Sequence, residues 1–411
     1  MSYNARVLCL NSDAEIVAEM ARVNAEDAGI RHMLPKARHY LVKLEQVRRP
    51  IAHILKETFL SNGGDTVVSR DVITAKVDRC DVILTGTRKH FQRALLTLRE
   101  QGFGCDALAV EVEAAIRHFD GSPNVPRLDS LGDERLGRMF ELIGNRTLIM
   151  GILNVTPNSF SDGGMYAGVS AAIDHAYEMA VQGADIIDVG GLSTSPGSDP
   201  ISSSVEIDRV VPVVKELAGN LNIPVSIDTY SAEVAAAALD AGALIVNDIS
   251  GTTFDAEMPA LLAGRRCPAV LMHIAGTPKN MQQKPEYGDL MGDICRWLRE
   301  RLAALAEAGA DEKLLIVDPG IGFGKTPEHN LEIMRRLAEL KSIGRPILVG
   351  TSRKSTIGKV LGGLPPEDRV EGTAATVALS IAHGADIVRV HDVKEMARVA
   401  KMTDAVVRRT D

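Results

Sequence analysis

After residue 147 the chain repeats one arrangement: a short apolar run stops on side chains that can bind or move charge. The endings are Asn154, Asp188, Asp228, Asn247 with Asp248, His273, Asp318, Ser352 to Lys354, and Arg389 with His391. One Asp after a strand ordinarily caps the following helix. Eight polar endings in succession are more than capping requires. They sort into two kinds. Asp228, Asn247 and Asp318 supply carboxylate and amide groups, which suit a ligand rich in ring N–H and amino donors. Arg353, Lys354, Arg389 and His391 read as cationic and belong to the last two runs, so they suit an anion. The pattern describes one site for a nitrogen-rich heterocycle and an anionic group. Met272 and Phe160 are apolar residues in otherwise polar loops. Core packing is the ordinary reason for either, and both could also wall a flat ring.

Such residues act together only if the chain gathers them on one rim. The runs, among them "ADIIDVGG", "IPVSID", "LLIVDP" and "ADIVRVHD", are continuous in Val, Ile and Leu. Helical, alanine-rich stretches such as "SAEVAAAALDAGA" separate many of them, and several end in Gly. That alternation means a parallel sheet covered on both faces. Eight units in about 260 residues match a (β/α)8 TIM barrel, whose active site lies at the C-terminal strand ends. An open, doubly wound sheet is the plainer alternative. Just before the first run, "RMFELIGNRTLIM" suggests a hairpin with Gly144 and Asn145 as its turn.

The segment Asp120 to Glu134, "DGSPNVPRLDSLGDE", has no apolar periodicity and reads as a linker. The expected organisation is therefore a small α/β N-terminal domain over 1–120, a linker over 121–134 and the barrel over 135–411. In the first domain "RVLCL" and "DVILTGT" read as strands, the second buried on both faces, and "DAEIVAEMARVNAEDAG" and "RKHFQRALLTLREQGFG" as helices. The basic stretch "GTRKHFQR" reads as a solvated helix face.

Composition narrows the function classes. Of 411 residues 45% are apolar, enough for a sizeable core, and the net charge of −8 argues against nucleic acid or an anionic membrane as partner. No apolar stretch is long enough to span a bilayer, and the N-terminus lacks the pattern of a signal peptide. The five cysteines are scattered and never paired as CxxC, which fits reduced thiols in a cytoplasmic protein.

Two loops carry further information. "DPGIGFGKT" looks like a phosphate loop, but GxxxxGK[ST] needs Gly where Pro319 stands, so nucleoside triphosphate binding is rejected. Its glycines would still let backbone approach a ligand, with Phe323 and Lys325 bordering the pocket. "ILNVTPNSFSDGG" (Ile152 to Gly164) is too polar for a simple turn, and Gly163 with Gly164 would let it move. Trp297 sits on a helical pattern and reads as packing.

Taken together, "LIMGILNVTPNSFSDGG", "ADIIDVGG", "VSIDT", "IVNDISG", "VLMHIAGTPKNMQ", "VDPGIGFGKT", "GTSRKSTIG" and "IVRVHDVKE" resemble the dihydropteroate synthase family over roughly residues 139 to 405. The resemblance implies condensation of 6-hydroxymethyl-7,8-dihydropterin pyrophosphate with 4-aminobenzoate, releasing pyrophosphate. It implies that Asp228, Asn247, Asp318 and Lys354 bind the pterin over Met272. Asn154, Arg389 and His391 would hold the pyrophosphate, Asn154 also reaching Mg2+. Phe160, Phe323, Lys354 and Ser355 would shape the aminobenzoate pocket, and Thr194 would also bind substrate. Asp228, Asp318, Lys354, Arg389 and His391 would be the catalytic set, and a homodimer is expected. The chain departs from the family's usual GGESTRPG, with Leu192 for Glu and Ser195 for Arg, and carries Asn158 where Asp is usual. These departures leave two alternatives beside the synthase: a pterin-dependent transferase with another acceptor, and a non-catalytic pterin-binding paralogue.

Overall fold

The computed structural model describes residues 2–10, 12–127, 131–155, 164–193, 197, 201–283 and 285–408. They divide into two units, one ending at Ile116 and one beginning at Arg117.

The first unit opens with α1 (Asp13–Arg22) and α2 (Asp27–Ala37), then β1 (His39–Arg48) and α3 (Arg49–Ser61). β2 (Asp65–Val68), α4 (Arg70–Ile73), β3 (Arg79–Thr87), α5 (Arg88–Arg99) and α6 (Cys105–Asp120) follow. The sheet is antiparallel in the order β1-β3-β2. Two readings of its strands need correction. Arg6 to Leu10 form no strand and join no sheet of the described residues; Val7 is exposed. β3 alternates buried with open positions instead of being buried on both faces, because the unit's helical core residues, such as Leu55, Phe59, Phe91 and Leu98, need only one face of the sheet. The first helical stretch is two helices, broken where Asn24 takes a left-handed φ of 62°.

The second unit begins with α7 (Glu134–Leu142) and β4 (Leu148–Asn154), then α8 (Gly164–Gln182), β5 (Ile186–Gly190) and α9 (Ser203–Asn220). Next come β6 (Val225–Asp228), α10 (Ala232–Asp240), β7 (Ile245–Asp248), α11 (Met258–Arg265) and β8 (Ala269–Met272). α12 (Leu290–Glu307), β9 (Leu315–Asp318), α13 (Pro327–Arg336) and β10 (Leu348–Val349) continue the alternation. α14 (Ser355–Val360), α15 (Val370–Ala382), β11 (Ile387–Val390) and α16 (Val393–Val407) complete it. The eight parallel strands run β10-β11-β4-β5-β6-β7-β8-β9, and a parallel bridge from Val317 to Ile347 brings β9 back to the start of β10. This nearly closed ring is the barrel expected from the alternation of apolar runs and helices.

Two apolar layers hold it. Outward residues such as Ile149, Leu153, Val189 and Ile227 pack against the helices. Inward residues, among them Leu148, Met150, Ile186, Ile245, Val270, Ile316, Leu348 and Ile387, fill the lower barrel. The expected hairpin before β4 is instead α7, with Asp133 as its N-cap. Leu136, Met139 and Phe140 recur at the i, i+3, i+4 spacing and plug the bottom of the barrel together with Ile143. Gly144 and Asn145 end that helix and do not turn a hairpin.

Candidate active site

The inward positions that fill the lower barrel continue two residues further along the strands, where the layer becomes polar on most of them and Met272 stays apolar. Ile186 precedes Asp188, Ile245 precedes Asn247, Val270 precedes Met272, Ile316 precedes Asp318 and Ile387 precedes Arg389. Side chains alternate along a strand at period two, so residues that extend the inward row face the barrel mouth. Parallel register sets Asp228 beside Asn247 and Met272 beside Asp318.

These ends line a cavity of about 390 Å³. The residues expected from the sequence that meet there are Asn154, Asp228, Asn247, Met272, Asp318, Phe323, Lys354, Arg389 and His391. Ser355 opens α14 and is exposed, outside the cavity lining. Phe160, Thr194, Asn158, Gly163 and Ser195 lie outside the described residues. Leu192 and Ser193 also line the cavity, so the Leu that departs from the family pattern forms part of the wall.

One floor of the cavity is apolar. Met272 packs with Ile249, Ile274, Met281 and Phe323, backed by Tyr230 and Phe254. The opposite corner is a charge network. Arg389 donates through Nε to Asp188 Oδ2 and through Nη2 to Asp228 Oδ2, both at 2.6 Å. Asn247 Nδ2 donates to the same Asp188 oxygen at 2.9 Å. The other oxygens, Asp188 Oδ1 and Asp228 Oδ1, are buried without a hydrogen-bond partner. Buried acceptors left open are costly, and these two await donors. Asp188 was only a strand ending in the sequence reading; its role as the brace of Arg389 and Asn247 emerges from the fold.

Burial raises the Asp228 carboxyl above its ordinary value; Arg389 opposes that rise and Asp188 adds to it. Asp318 is pushed up to about 6, again chiefly by burial, although Gly320 N donates to its Oδ1 at 2.7 Å. Burial also lowers Lys354, to about 8, with Arg389 adding to the effect. Lys354 Nζ stands 4.2 Å from the centroid of the Phe323 ring, a cation–π contact.

The four residues read as cations are not four free charges. Arg353 is paired with Asp392 through two donors, at 3.1 and 2.6 Å, and Arg389 is paired as described. His391 is neutral near pH 7, because burial first, and then Arg389, lower it to about 4. Ser352 Oγ lies 3.0 Å from His391 Nδ1 and accepts from the His391 backbone N–H at 3.1 Å. That contact fixes the orientation of the ring at the cavity rim.

The glycine loop after β9 also differs from expectation. Gly320, with φ 69°, and Gly324, with φ 64°, take left-handed conformations. A Cβ on Gly320 would come within 2.0 Å of His273 O, and one on Gly324 within 2.6 Å of Ala275 O. The close approach is thus to the chain's own continuation of β8. Lys325 does not border the cavity; it is fully buried behind it. Asp248 turns to its own loop, accepting from Ser250 and Thr252. Trp297 packs edge-on against the His273 ring, as its helical pattern suggested.

Residues 150–391 match the family model described as pterin binding enzyme. The chain is 50% identical over 263 residues to the dihydropteroate synthase of Synechocystis sp., a match spanning 64% of this chain and 91% of that protein. It superposes on the Xanthomonas albilineans dihydropteroate synthase solved with 4-aminobenzoic acid with a TM-score of 0.62, at 37% identity, over 70% of this chain and 98% of that one. It is 40% identical over 377 residues to a probable bifunctional folylpolyglutamate synthase/dihydropteroate synthase of Haloferax volcanii. That match spans 91% of this chain but 44% of the archaeal protein, so it reaches into the N-terminal unit.

Proposed function

We propose that this barrel mouth joins 6-hydroxymethyl-7,8-dihydropterin pyrophosphate to 4-aminobenzoate, from the premise that the chain belongs to the pterin-binding enzymes, as a dihydropteroate synthase. The observation that carries the residue assignment is Asp228: Oδ2 holds Arg389 while Oδ1 is buried and open. One carboxylate can then accept a pterin N–H without releasing the arginine.

In this reading Asp228, Asn247 and Asp318 grip the ring's polar edge over Met272. Arg389, His391 and Asn154 meet the pyrophosphate. Phe323 and Lys354 wall the acceptor, joined by Ser355 from the rim and by Phe160 and Thr194 from loops outside the described residues. The aromatic amine attacks as the neutral base: its lone pair forms the C–N bond, and the C–O electron pair leaves with pyrophosphate. The new ammonium then gives its proton to the departing phosphate or to water. Positive charge grows on the pterin methylene as that bond breaks, and buried carboxylates fixed in advance stabilise it. Arg389, already braced by Asp188, does the same for the leaving oxygen at little reorganisation cost.

Mg2+ fits as an ion carried by the pyrophosphate. Among the described residues no three His, Cys, Asp or Glu side chains gather into a metal site, and Asn154 supplies one neutral oxygen. Mg2+ is commonly held that way, by a protein oxygen or two plus phosphate and water, and when bound it would neutralise leaving-group charge. A homodimer is supported by α15 and α16, which expose Leu379, Met402 and Val406. A cytoplasmic setting is supported by five free cysteines; among the described residues no helix is long and apolar enough to cross a membrane.

The test is to incubate the protein with both substrates and Mg2+ and follow 7,8-dihydropteroate by chromatography and mass. Product formation that slows sharply in Asp228→Asn supports the assignment. Unchanged turnover in that variant refutes it.

A further inference from the structure

Phe323 stands in the cavity wall on the loop between β9 and α13, and one buried lysine holds that loop from behind. Lys325 Nζ lies 2.9 Å from His273 Nδ1, 3.2 Å from His273 O and 3.0 Å from Phe323 O. Three acceptors match the three hydrogens of an ammonium. All three are neutral: burial, with Lys325 itself adding, drives His273 far below its ordinary value. For Nδ1 to accept, the imidazole must carry its proton on Nε2. Its ring is held edge-on by Trp297 at 5.1 Å and faced by Tyr287 at 6.0 Å. Its hydrogen-bond partners are all neutral, and burial lowers it to about 7 although the Asp318 charge opposes that fall, so such a buried lysine is costly to keep. The group it ties down is the backbone of Phe323, an aromatic residue in the cavity wall.

The neighbouring peptides are held as well. Gly322 N donates to Asn330 Oδ1 at 2.9 Å, and Asn330 Nδ2 donates to Thr356 Oγ1 at 2.8 Å, on the helix that follows Lys354. Gln282 Nε2 donates to Gly322 O at 2.9 Å, and Tyr287 OH donates to Gly324 O at 2.7 Å. Asp318 is anchored separately, by the ladder to Met272 and by Gly320 N, all ahead of Phe323.

We propose that Lys325 is a positioning residue for the acceptor substrate: by fixing Phe323 O to the end of β8 it sets where the Phe323 ring stands opposite Lys354. The pterin carboxylates make no hydrogen bond to it, although its charge helps to hold the Asp318 carboxyl down. This rests on the function proposed above, in which Phe323 walls the aminobenzoate subsite.

Steady-state kinetics of the full chain test it, with wild type, Lys325→Met, and the milder Tyr287→Phe and Gln282→Ala, each checked for folding by circular dichroism and Tm. Lys325→Met is expected to raise KM for 4-aminobenzoate about ten- to a hundredfold while KM for the pterin pyrophosphate stays within about threefold. Tyr287→Phe combined with Gln282→Ala loosens the same loop without touching the buried lysine. That double variant is expected to shift the acceptor KM in the same direction by about three- to tenfold, and it decides the matter if Lys325→Met does not fold. Both KM values rising together, or an unchanged acceptor KM in the folded variants, would overturn the inference and leave the function standing. Absence of dihydropteroate from wild type would overturn both.

Discussion

Asp228 has two oxygens in two different environments, and that split joins the halves of the site. Oδ2 is spent on Arg389, and Oδ1 is left for a ligand. Asp228→Asn would keep the shape but remove the charge that balances Arg389, and kcat/KM is expected to fall about a hundred- to a thousandfold in the coupled assay. Asp318 carries a pH signature. Its folded value of about 6 lies above the ordinary 3.8, with burial the main cause. The free protein therefore holds this proton more tightly than the unfolded chain, and the group's contribution to stability declines as pH rises from about 4 through about 6. A pterin that donates N–H to the carboxylate favours the ionised form, so its affinity should rise over the same interval. Calorimetric titration between pH 5 and 8 checks this: affinity should climb through about 6 in wild type and lose that step in Asp318→Asn. A step of equal size in the variant would assign the proton elsewhere.

At the scale of elements, the barrel floor and the barrel mouth are one row of side chains read at period two. Phe140 in α7 belongs to the floor, and Phe140→Ala should cost about 3–5 kcal/mol of stability by denaturant unfolding, with both KM values unchanged. A selective change in either KM would mean the floor is not independent of the mouth. Much of this was legible beforehand because strands buried on both faces must be continuously apolar, so a polar ending on each is conspicuous. Most of the expected site residues line one cavity. What was not legible depends on pairing across the ring. Asp188 and Arg389 are 201 residues apart, and nothing local marks one as the brace of the other. His391 looked cationic because neighbours that suppress its charge come from the fold. α7 was misread because a Gly-Asn pair imitates a hairpin turn, and its short periodic segment is visible only against the barrel interior.

For the whole molecule, the family model lies within the second unit, at residues 150–391, and the Synechocystis synthase is matched over 91% of its length by 263 residues, fewer than that unit holds. Residues 117–411 expressed without the first unit should therefore retain kcat/KM within about threefold of the full chain. A larger loss would give the N-terminal unit a part in turnover. The apolar residues exposed on α15 and α16 lead to a second expectation, a dimer mass in sedimentation velocity that Met402→Glu with Val406→Glu reduces to a monomer. A monomeric wild type would remove dimerisation as the reason for that surface. The most direct measurement remains turnover by the intact protein. With pterin pyrophosphate, 4-aminobenzoate and Mg2+, dihydropteroate and pyrophosphate should form in equal amounts, and Asp228→Asn should slow both about a hundred- to a thousandfold. Pterin binding without dihydropteroate, despite both substrates being present, would contradict the account.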